Sequence, residues 1–227
     1  MARFWPAHCA SPIARLPDCL CTRPGGLGAA APSVLYCDAV TKPEGNPWQT
    51  LSSDLKYSNP WIDLTEHQVI TPGGSPGIYG TIHLHHLAIG IIALDGQGNT
   101  WLVGQWRYPL GLYSWEIPEG GGSLNLPPLE SAKRELKEET GIEAASWQRI
   151  LEMHLSNSVT DERCFVYLAT GLSFDESTPD ETEALTVRKL LFEDAYQMVL
   201  RGEITDAISV AAILRLKLIL AEGPTMP

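Results

Sequence analysis

Glu135, Glu138 and Glu139 stand at i, i+3 and i+4 in the run Arg134-Glu135-Leu136-Lys137-Glu138-Glu139-Thr140-Gly141-Ile142. On a helix those spacings bring all three carboxylates onto one arc. Like charges this close cost stability, and a divalent cation held among them offsets that cost. Oxygen donors with no His or Cys beside them suit a hard ion, Mg2+ or Mn2+. An acidic helix face that meets only water accounts for the same residues, so the carboxylates alone leave two readings open. The helix itself is clearly bounded: Pro127-Pro128 opens it and Gly141 closes it. Leu129, Ala132 and Leu136 fall on the adjoining arc and are expected to face a core.

The elements around that helix are mostly strands. Residues 57–64, 78–84, 87–94 and 100–106 read as strands, and so do 146–154, 164–170 and 185–191. Pro72-Gly73-Gly74-Ser75-Pro76-Gly77 and Asp95-Gly96-Gln97-Gly98-Asn99 supply turns between them. A glycine-rich loop, 120–126, leads into the acidic helix, and two further helices, 193–200 and 206–220, end the chain. In the last helix Ile208, Ala212, Leu216 and Ile219 offer an apolar face to a core or to a dimer partner. One helix embedded among strands and two at the end predict an α+β mixed sheet rather than repeating βαβ units.

A length of 227 residues suits one domain with an extension, or two small domains, and 44% hydrophobic residues suffice for a core. A formal charge of −11 argues against a nucleic-acid partner, which needs clustered Lys and Arg. Divalent cations still allow an acidic protein to hold phosphates. No apolar run approaches the ~20 residues that span a bilayer, so no membrane partner is expected. Residues 1–43 are rich in Pro, Gly, Ala and Cys, carry four basic and two acidic side chains, and read as a disordered extension. Cys9, Cys19, Cys21, Cys37 and Cys164 lack the paired spacing of a zinc site, and a reduced, cytoplasmic location is expected. His83 and His85 share one strand face. The sequence places no acidic or Cys partner beside them, and they read as a polar sheet face.

The run from Arg134 to Ile142 matches the second half of the Nudix signature, R-E-apolar-x-E-E-x-G-apolar, at every fixed position. A chance match in a chain of this length is on the order of 10⁻⁵ from average residue usage, which sets the plain acidic face aside. Gly120 lies where the signature's first glycine belongs. The chain therefore resembles the Nudix pyrophosphohydrolases. One position departs: Leu126 stands where the signature has a glutamate that supports its arginine. Glu130, one turn before Arg134, is expected to take over that support. Segments outside the signature narrow the likeness to the ADP-ribose pyrophosphatase branch. Val103-Gly104-Gln105-Trp106-Arg107-Tyr108-Pro109 resembles its Q-x-R-Y-P strand. Trp115-Glu116-Ile117-Pro118-Glu119-Gly120-Gly121 resembles its W-E-L-P-A-G approach, and Gly202-Glu203-Ile204-Thr205-Asp206-Ala207 its G-x-I-x-D-A turn.

The resemblance implies a Nudix α/β/α sandwich with a mixed sheet over residues 85–222, preceded by antiparallel strands over 44–84 that serve dimerisation. It implies Glu135, Glu138, Glu139 and the backbone carbonyl of Glu119 as ligands of Mg2+, or of Mn2+. Glu138 and Glu162 are the implied catalytic residues, orienting or deprotonating water. Arg107 and Glu116 are the implied contacts to nucleotide or ribose, with Trp115 or Trp106 stacking. The implied reaction is Mg2+-dependent hydrolysis of the pyrophosphate bond of ADP-ribose or a related nucleoside diphosphate sugar. The alternatives are a preference for GDP-mannose or dinucleoside polyphosphates, and a nucleotide-binding module whose catalysis Leu126 has weakened. Ser158 lies in a loop where ADP-ribose specialists often carry a proline, which leaves the substrate more open than the chemistry. A homodimer is the implied assembly, with Trp48 and Leu51 at its interface.

Overall fold

The computed structural model describes residues 45–175 and 185–222, and the expected extension, 1–43, lies outside them. Every element below lies within residues 49–222. In chain order β1 (Gln49–Ser58), β2 (Ile62–Ile70) and β3 (Pro76–Leu84) come first. β4 (His86–Ala93), β5 (Asn99–Arg107), β6 (Leu112–Glu116) and β7 (Glu119–Ser123) lead into α1 (Pro128–Thr140). β8 (Ile142–His154), β9 (Arg163–Phe174), β10 (Thr186–Leu191), α2 (Phe192–Leu200) and α3 (Ala207–Glu222) complete it.

β1, β2 and β3 form an antiparallel sheet in that order. The structure breaks the stretch 57–64, read above as one strand, at a turn. Asn59 Oδ1 accepts the backbone N–H groups of Trp61 and Ile62, both at 2.8 Å, and so reverses the chain. Asn-Pro is itself a turn signal, and the apolar residues on either side of it hid that signal.

A second sheet has the order β10-β5-β6, and a third, mixed sheet the order β7-β4-β9-β8. Within the third sheet β4 and β9 run parallel while the other pairs are antiparallel. β7 corrects the glycine loop expected at 120–126: Gly120, Gly121 and Gly122 pair with Ile89, Ala88 and Leu87. Glycine carries no strand preference of its own, and the partner strand supplies the extended conformation.

β4 alternates its side chains between two cores, as the period of a strand demands. Leu87, Ile89, Ile91 and Ala93 pack with Ala132 and Leu136 of α1. Ala88 and Ile92 pack with Ala195 of α2 and with Ile208, Ala212 and Leu216 of α3. The mixed sheet thus lies between α1 on one face and α2 with α3 on the other, an α/β/α sandwich. The apolar face of α3 is spent on this core. Gly90 lets α3 come close, since a Cβ there would lie 2.7 Å from the Ile208 side chain. α1 ends as its sequence requires: Gly141 adopts φ 70°, and its N–H reaches Lys137 O at 2.8 Å. Among the described residues no helix is long and apolar enough to cross a membrane.

Candidate active site

The inward arc of α1 buries Ala132 and Leu136 completely, and it carries two glutamates down with them. Glu135 is 9% exposed and Glu139 3%, while Glu138 stays at the half-exposed rim. β7 lies directly against these carboxylates. A Cβ on Gly120 would fall within 2.6 Å of the Glu135 carboxylate atoms, so with any other residue there Glu135 would have to move. The backbone N–H of Glu119 donates to Glu139 Oε2 at 3.1 Å.

Arg134 ties helix to strand. It donates to Glu138 Oε2 at 2.6 Å, to Gly121 O at 2.9 Å, and to Glu135 Oε1. Glu130 does not support it, contrary to the expectation from sequence. Glu130 instead pairs with Lys133 at 2.8 Å, and Leu126 stands 56% exposed in the turn after β7. Arg134 finds its partners across the gap to β7 and one turn ahead, so the missing signature glutamate leaves no orphan charge.

On the other side of β7 a second acidic group gathers around Arg107 at the end of β5. Its guanidinium forks onto Glu116, with Nη2 to Oε2 at 2.6 Å and Nε to Oε1 at 3.0 Å. The same Nη2 donates to Glu119 Oε1 at 2.8 Å. Asp206, just before α3, caps that helix by accepting the Ser209 N–H at 2.7 Å. Among the described residues, the acidic side chains whose oxygens gather within 4.8 Å of one another are Glu116, Glu119 and Asp206, not the three glutamates of α1. Asp206 was not singled out as a site residue from sequence, although it sits in the Gly202–Ala207 turn noted above; a cap and a ligand look alike in sequence.

Two clefts open beside this group. One, of about 320 Å3, is lined by His86, Gln105, Arg107, Glu119, Gly120 and Glu162 among others. Its neighbour, of about 270 Å3, is lined by Arg107, Ser114, Glu116, Glu119, Thr205 and Asp206 among others. The fold therefore brings together Arg107, Glu116, Glu119 and Glu162, which the sequence scattered over four elements and loops. Glu135, Glu138 and Glu139 line neither cleft, and Glu135 meets the first at its Gly120 wall. Trp115 is not brought in. Alternation along β6 turns it away from Glu116, its ring stands edge-on to Tyr113, and Arg188 lies over it. Trp106 is 64% exposed and lines neither cleft.

Burial, then the Asp206 and Glu116 charges, push the Glu119 carboxyl well above the usual carboxylate range, and Arg107 only partly opposes them. Burial also raises the Glu162 carboxyl, with His86 pulling it down and Asp161 pushing it up.

Comparison with known proteins bears directly on this arrangement. The sequence model of the NUDIX domain matches residues 84–211, and that of the nucleoside diphosphate sugar hydrolase N-terminal domain matches residues 48–82. The chain belongs to the Nudix family. The ADP-ribose pyrophosphatase of Mycobacterium tuberculosis is 35% identical over 174 residues, which are 74% of this chain and 82% of that one. The ADP-ribose pyrophosphatase of Bacillus subtilis is 33% identical over 172 residues, 75% of this chain and 92% of that one. The crystal structure of an ADP compounds hydrolase superposes with a TM-score of 0.71, covering 79% of this chain and 97% of that one. At 16% identity it is a likeness of fold alone.

Nudix hydrolases use a divalent metal, and the residues of this Nudix chain fit one. Two carboxylates of α1 are buried with a third at the rim, and the Arg134 guanidinium that meets Glu135 and Glu138 balances only one of the three charges. The donors around them are oxygens, the set that hard ions prefer. The Glu135 carboxylate occupies the space that a side chain on Gly120 would fill, so it reaches the β7 backbone.

Proposed function

We propose that this Nudix chain hydrolyses the pyrophosphate bond of ADP-ribose or a related nucleoside diphosphate sugar with Mg2+, releasing a nucleoside monophosphate and a sugar phosphate. The observation that carries the reading is the convergence of Arg107, Glu119 and Glu162 on one cleft whose Gly120 wall backs onto the buried Glu135. The two ADP-ribose pyrophosphatase relatives support the choice of substrate. Glu135, Glu138, Glu139 and the carbonyl of Glu119 would hold the metal, Mn2+ being the alternative to Mg2+. Such ions offset the charge of the pyrophosphate and acidify water at the site. Glu162 orients water and accepts its proton, a role suited by a carboxyl raised toward neutral pH. Arg107, held by Glu116 and Glu119, offers its positive charge to the substrate's phosphates or ribose hydroxyls.

Arg134 keeps its partners, so Leu126 gives no ground for a module weakened in catalysis. A cytoplasmic homodimer completes the proposal. The dimer is supported by the exposed apolar residues of the first sheet, Leu51, Leu55 and Tyr57 on β1 and Ile78 on β3.

The test is turnover of a nucleotide-sugar panel at about 5 mM Mg2+, in excess for a site that keeps its waters, with EDTA as control. EDTA-sensitive release of AMP from ADP-ribose is expected, and Glu138→Gln should remove most of it while the protein stays folded. Silence across the panel, or full activity in that variant, would sink the reading.

A further inference from the structure

We infer that a divalent cation binds between Glu116, Glu119 and Asp206, apart from the carboxylates of α1. Three observations meet there. The first is distance: one oxygen from each of the three carboxylates lies within 4.8 Å of the others. Ligands about 2.0–2.6 Å from a hard cation stand roughly 3–5 Å from each other, so the oxygens already have the spacing of a coordination shell.

The second is an unmet acceptor. The Glu119 side chain is 9% exposed; its Oε1 takes Arg107, but its Oε2 is shut off from solvent with no hydrogen-bond donor. Within 4.8 Å of one Glu119 carboxylate oxygen stands an oxygen of Asp206, another acceptor. A buried carboxylate oxygen left without a donor is costly. Ionised, the three carboxylates and Arg107 sum to −2, the charge that one divalent ion cancels.

The third is preorganisation. Arg107 and Gln105 hold Glu116, and the Ser209 N–H holds Asp206, so two of the three ligands are positioned before any ion arrives. Both clefts have Arg107 and Glu119 in their walls, with volumes of about 320 and 270 Å3. That is room for an ion that retains several waters, as Mg2+ does. The donor set of carboxylates without His or Cys selects a hard cation. The Glu119 side chain itself is this chain's departure from the W-E-L-P-A-G pattern, in which that place is held by alanine.

The site goes beyond the hydrolytic reading, and anomalous diffraction at the manganese edge separates the two. Crystals of the full chain grown with MnCl2 should show a peak bound by Glu119 and Asp206, distinct from any peak on Glu135 or Glu139. Glu119→Ala should erase the first peak and keep the second, and Mn2+ counted by paramagnetic resonance in solution should fall by one per chain. Asp206→Asn keeps the acceptor that caps α3, and it should weaken that Mn2+ at least about tenfold. Peaks on α1 alone, which would leave a shared proton as the bridge between Glu119 and Asp206, would overturn the inference, as would a peak that survives Glu119→Ala. A missing peak on α1 would count against the metal site of the hydrolase reading and not against this one.

Discussion

At the scale of single residues, the site depends on what is absent from Gly120. Its missing Cβ is the space that the Glu135 carboxylate occupies, so helix and strand approach closely enough for the Glu119 N–H to reach Glu139. A Gly120→Ala variant must push Glu135 aside or part β7 from α1. Metal affinity should fall about 10–100-fold, the usual cost of disturbing the groups that orient a ligand. A Mn2+ titration checks it, and wild-type affinity in that variant would show that the close contact has no bearing on the metal.

At the scale of elements, β3 holds the loop that carries Glu162. Ile82 N donates to Val159 O at 2.8 Å, Tyr79 OH to Ser158 O at 2.7 Å, and Leu84 N to Asp161 Oδ1 at 3.0 Å. His83 Nδ1 closes the clasp on Asp161 Oδ2. The histidines read from sequence as lacking acidic partners therefore have them, since His85 meets Asp63 at 3.1 Å as well. The partners were invisible because Asp161 lies 78 residues away from His83 along the chain. In His83→Ala the loop loses one of its anchors, the one beside the proposed general base Glu162. With Glu162 displaced, kcat should drop about 10–100-fold, while stability moves by under about 1 kcal/mol because the pair is exposed. Steady-state kinetics beside a thermal melt decide this: unchanged kcat would free the loop from any role in placing Glu162.

A second clasp, at Asp95, makes a pH-dependent prediction. Its carboxylate accepts the N–H groups of Gln97 and Asn99 at 2.9 and 2.8 Å, and it meets Lys189 of β10 at 3.1 Å. Desolvation pushes this carboxyl up, but Asn99, Lys189 and Gln97 together outweigh it and hold the pKa far below the ordinary value. A depressed folded-state pKa means that the stabilisation is complete above the unfolded value of about 4 and decays as pH falls toward the folded one. Asp95→Ala should therefore lower Tm at pH 7 and pH 5 alike, and the gap to wild type should close only below about pH 4. A gap that closes between pH 7 and pH 5 would contradict the assignment.

For the whole molecule, β1 at the edge of the first sheet is the element that finds no cover among the described residues. Every residue of β1 is exposed, and Leu55 and Ile78 are 57% and 67% open to solvent. Apolar residues at that density on an exposed surface mark a contact, which the proposed homodimer would supply. Leu55→Asp with Ile78→Asp should shift the protein from dimer to monomer in light scattering, with the Nudix domain still folded. A wild-type protein that is monomeric at micromolar concentration would remove the sheet from any such role.

The sequence by itself determined α1, its caps and the family. A helix whose chemistry lies within nine consecutive residues is a local object, and Pro128, Gly141 and the spacing of Glu135, Glu138 and Glu139 need no partner to be read. The α+β class with a mixed sheet was also legible, because strand and helix periods are local, whereas the α/β/α layering followed only from the family resemblance. β7 was not, since three glycines become a strand only beside β4. Neither was the Glu116, Glu119 and Asp206 group, whose members lie up to 90 positions apart and meet only where β6, β7 and the start of α3 converge. Trp115 makes the same point in the other direction. Its neighbour Glu116 entered the cleft, and the strand's alternation, fixed by which face the sheet buries, sent the ring the other way.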